Sequence, residues 1–350
     1  MKHYIIPMFI PHYGCPHQCV FCDQRAITGV RRPATASDVE RNIQQHLAAI
    51  NRPYHIEVAF YGGSFTALPP NLQIDLLNPA KAALDKGLIH AIRVSTRPDA
   101  ISEESVNRLK KYDVSTVELG VQSMDDSVLD AAKRGHSVQD VVNARKMLKQ
   151  FGIPCGIQLM PGLPKEDWLS LIRTGRQIER LKPEFVRIYP TVVMPFTPLA
   201  ELFQQGQYKP LTIAQGVSRA AYLKLLFEQQ GIPVIRTGLQ ATEGLSAPGN
   251  VLAGAYHPAF GEMVDAYIFY LMICRIIESK PPAYASTLII SHHPKDSSKI
   301  RGVSNTNLNS WRRQYKLTQC RFIPDWHRLG ELCVTYGECS CIINKSMINT

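Results

Sequence analysis

Hydrophobic positions in the first half of the chain recur in two alternating patterns. Short apolar runs rich in β-branched and aromatic residues predict strands, and the longer amphipathic segments between them predict helices. A strand, a crossover helix and a second strand form the repeating unit of a parallel sheet covered by helices. Six such units without a dinucleotide-binding fingerprint favour an α/β fold built on a partial (β/α)6 barrel. The predicted strands are 5–10, 56–61, 91–95, 116–121, 156–160 and 184–189.

Two helix starts carry capping signals. Ser37 is followed three residues later by Glu40, which predicts a capping box and a helix through Ile50. Ser137 is expected to open another helix that ends near Gly152. Both helices stand between predicted strands, where a parallel sheet requires a crossover.

The alternation weakens after about residue 197. We therefore predict two domains, a barrel over 1–197 and a smaller α+β extension over 198–350 on the substrate side. Residues 297–310 are rich in Ser and Asn and show no clear periodicity, so no element is predicted there. Elsewhere in the extension the pattern predicts helices over 213–230 and 262–278 and strands over 233–236 and 287–291.

The composition is that of an ordinary globular protein, with 45% apolar and 19% charged residues. The first residues lack the apolar core of a secretory signal, and the run 266–274 is too short to span a bilayer, so neither export nor membrane insertion is expected. Nine cysteines without a signal then favour a reducing, cytoplasmic location, where thiols stay free for metal binding or catalysis. A formal charge of +10 permits binding to nucleic-acid phosphates without requiring it.

Three cysteines directly after the first predicted strand carry the strongest chemical signal. Cys15, Cys19 and Cys22 have C-x3-C-x2-C spacing, which lets three thiolates from one loop hold three corners of a cubic four-iron cluster and leaves the fourth iron open. A structural zinc ion would normally take four protein ligands in two separated pairs. His17 could complete such a zinc site, so that alternative stays open.

The cysteine motif, with Phe21 before its last cysteine, resembles that of the radical S-adenosyl-L-methionine (SAM) superfamily. The whole segment 6–29 resembles the branch related to the Elongator catalytic subunit. The resemblance implies a [4Fe-4S] cluster whose open iron chelates SAM, together with an electron donor such as flavodoxin or ferredoxin. It implies that the three cysteines serve both as metal ligands and in catalysis, by supporting reductive cleavage of SAM to a 5′-deoxyadenosyl radical.

Two motifs at predicted strand ends resemble SAM-binding segments of the same superfamily. Gly62, Gly63 and Ser64 correspond to a glycine motif that engages the methionine amino group, although an acidic residue often stands at the position of Ser64. Thr96 and Arg97 begin a T-R-P-D sequence that would lie beside the ribose. Its aspartate could equally belong to an ordinary helix start after the proline.

Further along, the resemblance implies three more SAM contacts and two adenine neighbours. Gln122 and Ser123 would face the ribose, and Arg134 would pair with the SAM carboxylate, since a guanidinium offers a carboxylate two parallel hydrogen bonds. Leu159 and Tyr189 follow as neighbours of the adenine, although Leu159 fits an ordinary core position equally well.

The resemblance extends through 234–240 and 254–258, and we expect the substrate side to lie there. The candidates are Arg236, Tyr256, His257 and Glu262, because polar groups beside Gly-rich loops can line an open barrel mouth. For His257, which precedes a proline, a structural role is the competing interpretation.

The end of the chain shows no coenzyme A signature of the kind found in the acetyltransferase domain of the Elongator catalytic subunit. Only 65 residues follow Ala285, and they contain no Q-x-x-G-x-G/A pattern. Three cysteines near the end are expected to be free thiols rather than a second cluster, and several basic residues could touch RNA or form a solvated face. The cysteines are Cys333, Cys339 and Cys341, and the basic residues are Arg312, Arg313, Lys316, Arg321 and Arg328.

Three functional hypotheses remain at this point. The first is a radical SAM enzyme that modifies RNA, in particular tRNA, based on the Elongator resemblance and the basic charge. The second is a small-molecule oxidoreductase, since the G-V-Q motif with its following arginine is also similar to oxygen-independent coproporphyrinogen oxidases. The third is a non-catalytic iron–sulfur or haem-binding carrier.

Overall fold

A computed structural model describes residues 2–10, 14–23, 34–51, 54–240, 245, 247, 249–280 and 285–348. Residues 11–13 and 24–29, which belong to the segment that carries the Elongator resemblance, lie outside the described residues. None of the described helices is long and apolar enough to cross a membrane.

The chain forms a seven-stranded parallel sheet with strand order β1-β2-β3-β4-β5-β6-β8. All six predicted strands are present within a few residues of their expected bounds, and the sequence-based α/β barrel is confirmed. The strands are β1 Lys2–Ile10, β2 Tyr54–Gly62, β3 Ala91–Thr96, β4 Thr116–Gln122, β5 Cys155–Leu159, β6 Phe185–Ile188 and β8 Val234–Thr237. A two-stranded ribbon of β7 Val192–Val193 and β9 Ala253–Gly254 lies beside them.

Helices connect successive strands and cover the sheet. The helix predicted from Ser37 begins two residues earlier, because Thr35 and Asp38 form the capping box in place of Ser37 and Glu40. The helix expected from Ser137 begins as predicted, with its capping box closed by Asp140. The helices are α1 Ala36–Ala49, α2 Pro70–Asp85, α3 Glu103–Lys111, α4 Asp126–Ala131, α5 Val138–Gln150, α6 Trp168–Leu181, α7 Pro198–Gln204, α8 Ile213–Gln229 and α9 Phe260–Glu278.

A hydrogen bond across the sheet demonstrates its curvature. Arg187 on β6 donates from Nη2 to the Tyr61 hydroxyl on β2, 3.1 Å away. These strands are four positions apart, which in a flat sheet would separate them by about 19 Å. Two side chains cannot span that gap, so the sheet must curl around the contact into a half barrel.

The parallel sheet continues beyond the predicted domain boundary at 197. Strand β8, which the sequence assigned to the extension, pairs with β6, and Thr237 lies beside Ile188 in the register. Helices α8 and α9 pack against each other and bury apolar side chains from Val217 to Ile277 in the same core as the barrel.

The last part of the chain forms a separate mixed sheet with strand order β11-β10-β12-β13. Two helices lie within 297–310 or begin there, so the expectation of no element in this segment was wrong. The two helices bury Ile300, Leu308 and Trp311, and the turn between the helices interrupts the spacing of these residues. The elements are β10 Thr287–His292, α10 Ser297–Arg301, α11 Thr306–Tyr315, β11 Gln319–Pro324, β12 Glu331–Tyr336 and β13 Cys339–Asn344.

Candidate active site

The carboxyl ends of the parallel strands meet at one edge of the half barrel, which we call the mouth. Ile10 lies beside Gly62 in the strand register, and Gln122 lies beside Leu159. The motifs singled out in the sequence follow these ends, as polar loops do at the functional edge of parallel α/β sheets. The fold therefore brings together segments that lie far apart in the sequence.

The cysteine loop, residues 14–23, packs tightly against two other loops of the mouth. Gly14 has φ +71°, and a Cβ there would lie 2.2 Å from the Ser64 carbonyl oxygen. Gly135 has φ +67°, and a Cβ there would lie 2.3 Å from the ring of His17. The Val20 amide also donates to the Ala132 carbonyl at 3.1 Å. Glycine at both positions permits the close approach that fixes the loop.

The three thiols of this loop differ in burial. Cys19 is buried, whereas Cys15 and Cys22 are half-buried. Burial and then the neighbouring Cys19 raise the pKa of Cys15, and the Arg97 and Arg134 guanidinium groups oppose that rise. In the described part of the chain, no three His, Cys, Asp or Glu side chains converge at metal-binding distances. The loop thus carries three thiols beside two cations.

A buried cluster of hydroxyl groups joins the ends of β2 and β3. The Thr96 Oγ1 lies 2.9 Å from Ser64 Oγ and 2.6 Å from Thr66 Oγ1. The Arg97 amide donates to Ser64 Oγ at 3.2 Å. Ser64 and Thr96 therefore hold the two strand ends together, while Gly62, with φ +105°, and Gly63 form the turn above them.

Arg134 and Arg97 place two buried guanidinium groups next to the cysteine loop. Arg134 is 6% exposed and donates from Nη1 to Cys19 Sγ at 3.0 Å and from Nη2 to the Gly120 carbonyl. Arg97 pairs with both carboxylate oxygens of Asp99, at 2.9 and 3.0 Å. Arg134 Nε and Arg97 Nη1 have no hydrogen-bond partner among the described residues. Each cation thus keeps a donor for a further acceptor.

Gln122 and Ser123 occupy an irregular strand end. Gln122 has φ +73° at a bulge in the β4–β5 pairing, a conformation that non-glycine residues rarely adopt. Its Oε1 accepts from Gln158 Nε2 at 3.2 Å. The Ser123 hydroxyl lies 3.2 Å from the Thr174 hydroxyl on α6. The bulge directs the Gln122 side chain toward β5, whereas the Ser123 hydroxyl contacts the covering helix.

Of the predicted adenine neighbours, Leu159 ends β5 and Tyr189 directly follows the adjacent strand β6. Leu159 is buried in the main core, and its carbonyl accepts from the Tyr189 amide at 2.8 Å. The Tyr189 hydroxyl accepts from Arg187 Nη1 at 3.3 Å. Burial raises the pKa of Tyr189, so the phenol stays protonated near neutral pH.

The sequence did not single out His136, which is buried at the mouth. Its side chain is 5% exposed, and neither ring nitrogen reaches hydrogen-bond geometry with another described residue. Burial, followed by the charges of Arg134 and Arg97, lowers the pKa of His136 to about 3. The R-G-H sequence after α4 was the available signal, since a histidine two residues from a buried arginine must share its surroundings.

Sequence reasoning also missed a charged network inside the barrel, below the mouth, which we call the floor. It consists of Glu57, Arg93, Glu118 and Arg187, from four different strands. Arg93 donates to Glu57 at 2.7 and 3.0 Å and to Glu118 at 3.2 Å. Arg187 Nε lies 3.1 Å from Glu118 Oε1 as an ion pair without hydrogen-bond geometry. Two carboxylates and two guanidinium groups thus balance one another.

The predicted substrate-side residues lie around β8 and the start of α9. Arg236 donates to the Gly238 carbonyl at 3.4 Å, and His257 Nδ1 accepts from the Ala259 amide at 3.0 Å. Tyr256 packs with the small apolar cluster beside the β7–β9 ribbon, and Glu262 lies in the first turn of α9. The hydrogen bond that His257 accepts from the nearby Ala259 amide favours a structural role for this histidine. Its role in substrate binding stays a prediction.

These residues fit the groups that the sequence resemblance implies. A [4Fe-4S] cluster needs thiolate ligands, and a SAM molecule bound to it presents a carboxylate. The mouth provides three thiols on one loop and two buried guanidinium groups with unsatisfied donors. A buried cation with a free donor is stabilised when an anionic acceptor occupies the space beside it.

Two family models match the chain. The Radical SAM superfamily matches residues 9–177, and the Radical SAM C-terminal domain matches residues 183–269. A tRNA uridine(34) acetyltransferase from Methanocaldococcus jannaschii is 30% identical over 251 residues, which covers 60% of this chain and 46% of the relative. Elongator complex protein 3 from Saccharomyces cerevisiae is 29% identical over 180 residues, covering 44% of this chain and 31% of the relative.

The chain spans less than half the length of either of these two relatives. A solved structure of the archaeal Methanocaldococcus infernus Elp3 superimposes with a TM-score of 0.61 at 23% identity, covering 76% of this chain and 62% of that one. At this identity the match demonstrates a shared fold. The two family models together take in the half barrel and the mouth that holds the three thiols, and the chain belongs to the radical SAM superfamily of enzymes, with the Elongator catalytic subunit among its relatives.

Proposed function

We propose that this protein cleaves SAM reductively to a 5′-deoxyadenosyl radical and uses it to modify tRNA. The observation that carries the first part is the contact of 3.0 Å between the buried Arg134 guanidinium and Cys19 Sγ. It joins an anion-binding side chain to the loop that would hold the cluster. When bound, the cluster supplies one electron to SAM and the hard chemistry that follows.

The residues of the mouth would bind and orient the two groups. Cys15, Cys19 and Cys22 would ligate the cluster, and Arg134 would offer its remaining donor to the SAM carboxylate. Arg97 would add positive charge on the other side, held in place by Asp99. The Gly62–Gly63 turn would allow close backbone approach to the methionine end of SAM.

Other residues would line the SAM-binding site and limit its contact with water. Leu159 and Tyr189 would border the adenine, and the Gln122 amide would face the ribose. The floor beneath them is buried and would keep bulk water away from a reactive radical. Arg236, Tyr256, His257 and Glu262 would lie toward the substrate, and a flavodoxin or ferredoxin would donate the electron.

The proposed tRNA substrate rests on the names of the relatives and on charge. The archaeal relative is named for uridine 34 of tRNA, and the chain carries a net charge of +10, which suits an anionic polymer. Mass spectrometry of tRNA nucleosides from cells with and without the gene tests this part. A nucleoside profile that does not change on deletion would contradict it.

Cluster-dependent SAM cleavage is tested with a matched pair of cysteine variants. The C19S protein should lose its iron and its dithionite-dependent formation of 5′-deoxyadenosine, because oxygen replaces a thiolate ligand. The C341S protein changes an exposed cysteine in β13 and should retain both. Equal 5′-deoxyadenosine formation by C19S and the unmodified protein would refute the assignment.

A further inference from the structure

The C-terminal unit, residues 285–348, has a charge excess that the barrel function does not use. It contains nine Lys and Arg against four Asp and Glu, a net charge of +5 and half of the chain's total. Three of the nine cations pair with carboxylates, namely Lys299 with Asp265, Arg328 with Asp325 and Lys345 with Glu228. The rest make no ion pair with a described carboxylate, and they are Lys295, Arg301, Arg312, Arg313, Lys316 and Arg321.

The fold of this unit presents a tight turn between two helices. Strands β10 and β11 are adjacent and parallel, and α10, a turn over 302–305 and α11 connect them. A Cβ on Gly302 would lie 2.5 Å from the Thr306 hydroxyl, so glycine is required for the helices to meet. K-homology modules clamp a nucleic-acid backbone with a related helix–turn–helix arrangement, although Asn305 stands here where their GXXG turn has its second glycine.

Residues 303–305 of the turn are exposed to solvent. Ser304 and Asn305 have φ +53° and +60°, the left-handed conformation. Asn305 is the N-cap of α11 but makes no capping hydrogen bond from its side chain to any described residue. The Asn305 amide donates to the Gly302 carbonyl at 3.0 Å, and the Thr306 amide donates to the Val303 carbonyl, so the turn is closed by its own backbone. Asn307 anchors the turn by donating to the Ala266 and Ile300 carbonyls at 2.8 and 3.0 Å.

A second, independent observation lies on the strand beside the turn. The guanidinium of Arg301, the last residue of α10, lies 4.0 Å from the centre of the Phe322 ring on β11. Trp326 follows the same strand and is 72% exposed, with its ring packed edge-on against His293 at 5.5 Å. An exposed tryptophan in a positively charged unit offers a stacking surface for unpaired bases.

We propose that the turn 302–305, Arg301 and the Phe322–Trp326 strip form a binding surface for single-stranded RNA. Arg301 and the other cations of the unit that have no described carboxylate partner hold the phosphates, and Trp326 stacks on a base. A duplex fits less well, because its bases are already stacked on one another. The choice of RNA rests on the proposed tRNA function, whereas the surface itself rests on geometry and charge.

The test uses the full-length, cluster-loaded protein and fluorescence anisotropy with a labelled RNA of about 12 nucleotides. The V303D/S304D variant adds two carboxylates to exposed turn positions, and aspartate tolerates the left-handed conformation of Ser304. We expect its affinity for the single strand to fall about tenfold or more. The Q44E/Q45E control adds the same charge on α1, beside the opposite end of the seven-stranded sheet, and should bind RNA normally.

The stacking step has its own pair of variants. W326A should weaken binding about five- to 100-fold, the range for losing one aromatic–base stack. L329A removes a side chain that is 68% exposed in the same loop but has no ring, and should have little effect. Formation of 5′-deoxyadenosine from SAM without RNA should be unchanged in all four variants, which verifies their folding.

Two results would overturn the RNA surface. One is equal affinity of the unmodified protein and V303D/S304D for the single strand. The other is loss of V303D/S304D binding to phosphatidylglycerol vesicles with RNA binding intact, which would indicate a membrane surface. Nucleoside analysis tests the proposed tRNA modification separately, so binding can persist when that modification is absent, or be lost while SAM cleavage remains.

Discussion

The mouth and the floor of the half barrel are both buried and charged, yet their polar groups are satisfied to very different degrees. On the floor, Glu57, Arg93, Glu118 and Arg187 all face opposite charges within the protein. At the mouth, Arg97, Arg134 and His136 keep buried nitrogens without partners among the described residues. The hydroxyls of Thr191 and Thr237, near the ends of β6 and β8, are also buried there and make no hydrogen bond to a described residue.

This difference distinguishes buried polar groups that stabilise the fold from buried polar groups that are available to bind a ligand. A buried polar group without a partner costs about 1–3 kcal/mol, so a fold retains several of them in one place only if something else satisfies them. On the floor every charged group faces an opposite charge, including Arg187 Nε, which lacks hydrogen-bond geometry, so the network needs no ligand. The mouth is left incomplete in the protein alone, as expected of a site that receives a charged cofactor.

The largest expected effect comes from breaking the floor. Replacing Arg93 with methionine leaves Glu57 and part of Glu118 buried without a counter-charge, which should lower the free energy of unfolding by about 3–5 kcal/mol. Urea denaturation measures this loss. The E57Q/R93M double variant leaves the neutral Glu118–Arg187 pair and should recover at least half of the stability. Failure of that recovery would mean that packing, rather than charge balance, holds the floor.

A matching change at the mouth should affect binding instead of folding. R134M removes the cation next to Cys19, which should weaken SAM binding by about 1.5–3 kcal/mol and leave the free energy of unfolding within about 1 kcal/mol. Calorimetric titration with SAM and urea denaturation give the two values. R173M, on an exposed arginine paired with Asp125, is the control and should alter neither. A large loss of stability in R134M would erase the contrast between mouth and floor.

The smallest effect concerns the acid sensitivity of the mouth. The folded protein holds the pKa of His136 at about 3, whereas the unfolded chain takes up that proton near pH 6.5. Its contribution to stability is therefore present above pH 6.5 and is lost as the pH falls toward 3. Between pH 6.5 and 5 this amounts to about 2 kcal/mol.

Urea denaturation of the cluster-free protein at pH 7 and pH 5 tests this assignment. The H136N variant cannot take up the proton, so its stability should fall less between the two values. H327N replaces an exposed histidine and should behave like the unmodified protein. Identical pH dependence in H136N and the unmodified protein would show that the burial of His136 does not control acid sensitivity.

The amino-acid sequence alone determined the parallel barrel and the location of its mouth. The alternation of apolar strands and amphipathic helices indicates a sheet that is buried on both faces. The spacing of Cys15, Cys19 and Cys22 indicates a loop that can ligate an iron–sulfur cluster. Both signals are local. The helix start at Thr35 was misplaced by two residues because two overlapping capping boxes were available and sequence does not rank them.

Only the tertiary structure decided which polar residues meet. Arg187 and Tyr61 are 126 residues apart, and Arg134 and Cys19 are 115 apart, so nothing in the local pattern links them. The curl of the sheet brings them within hydrogen-bond distance, and in the described part of the chain the ring nitrogens of His136 are buried without hydrogen-bond geometry. The short helices between β10 and β11 were also not predicted from the sequence. A glycine turn interrupts the helical spacing of their apolar residues, and packing against α9 stabilises them. The local sequence shows where along the chain the candidate ligand-binding residues lie. Long-range packing determines which charged side chains are neutralised within the protein and which remain available to a ligand.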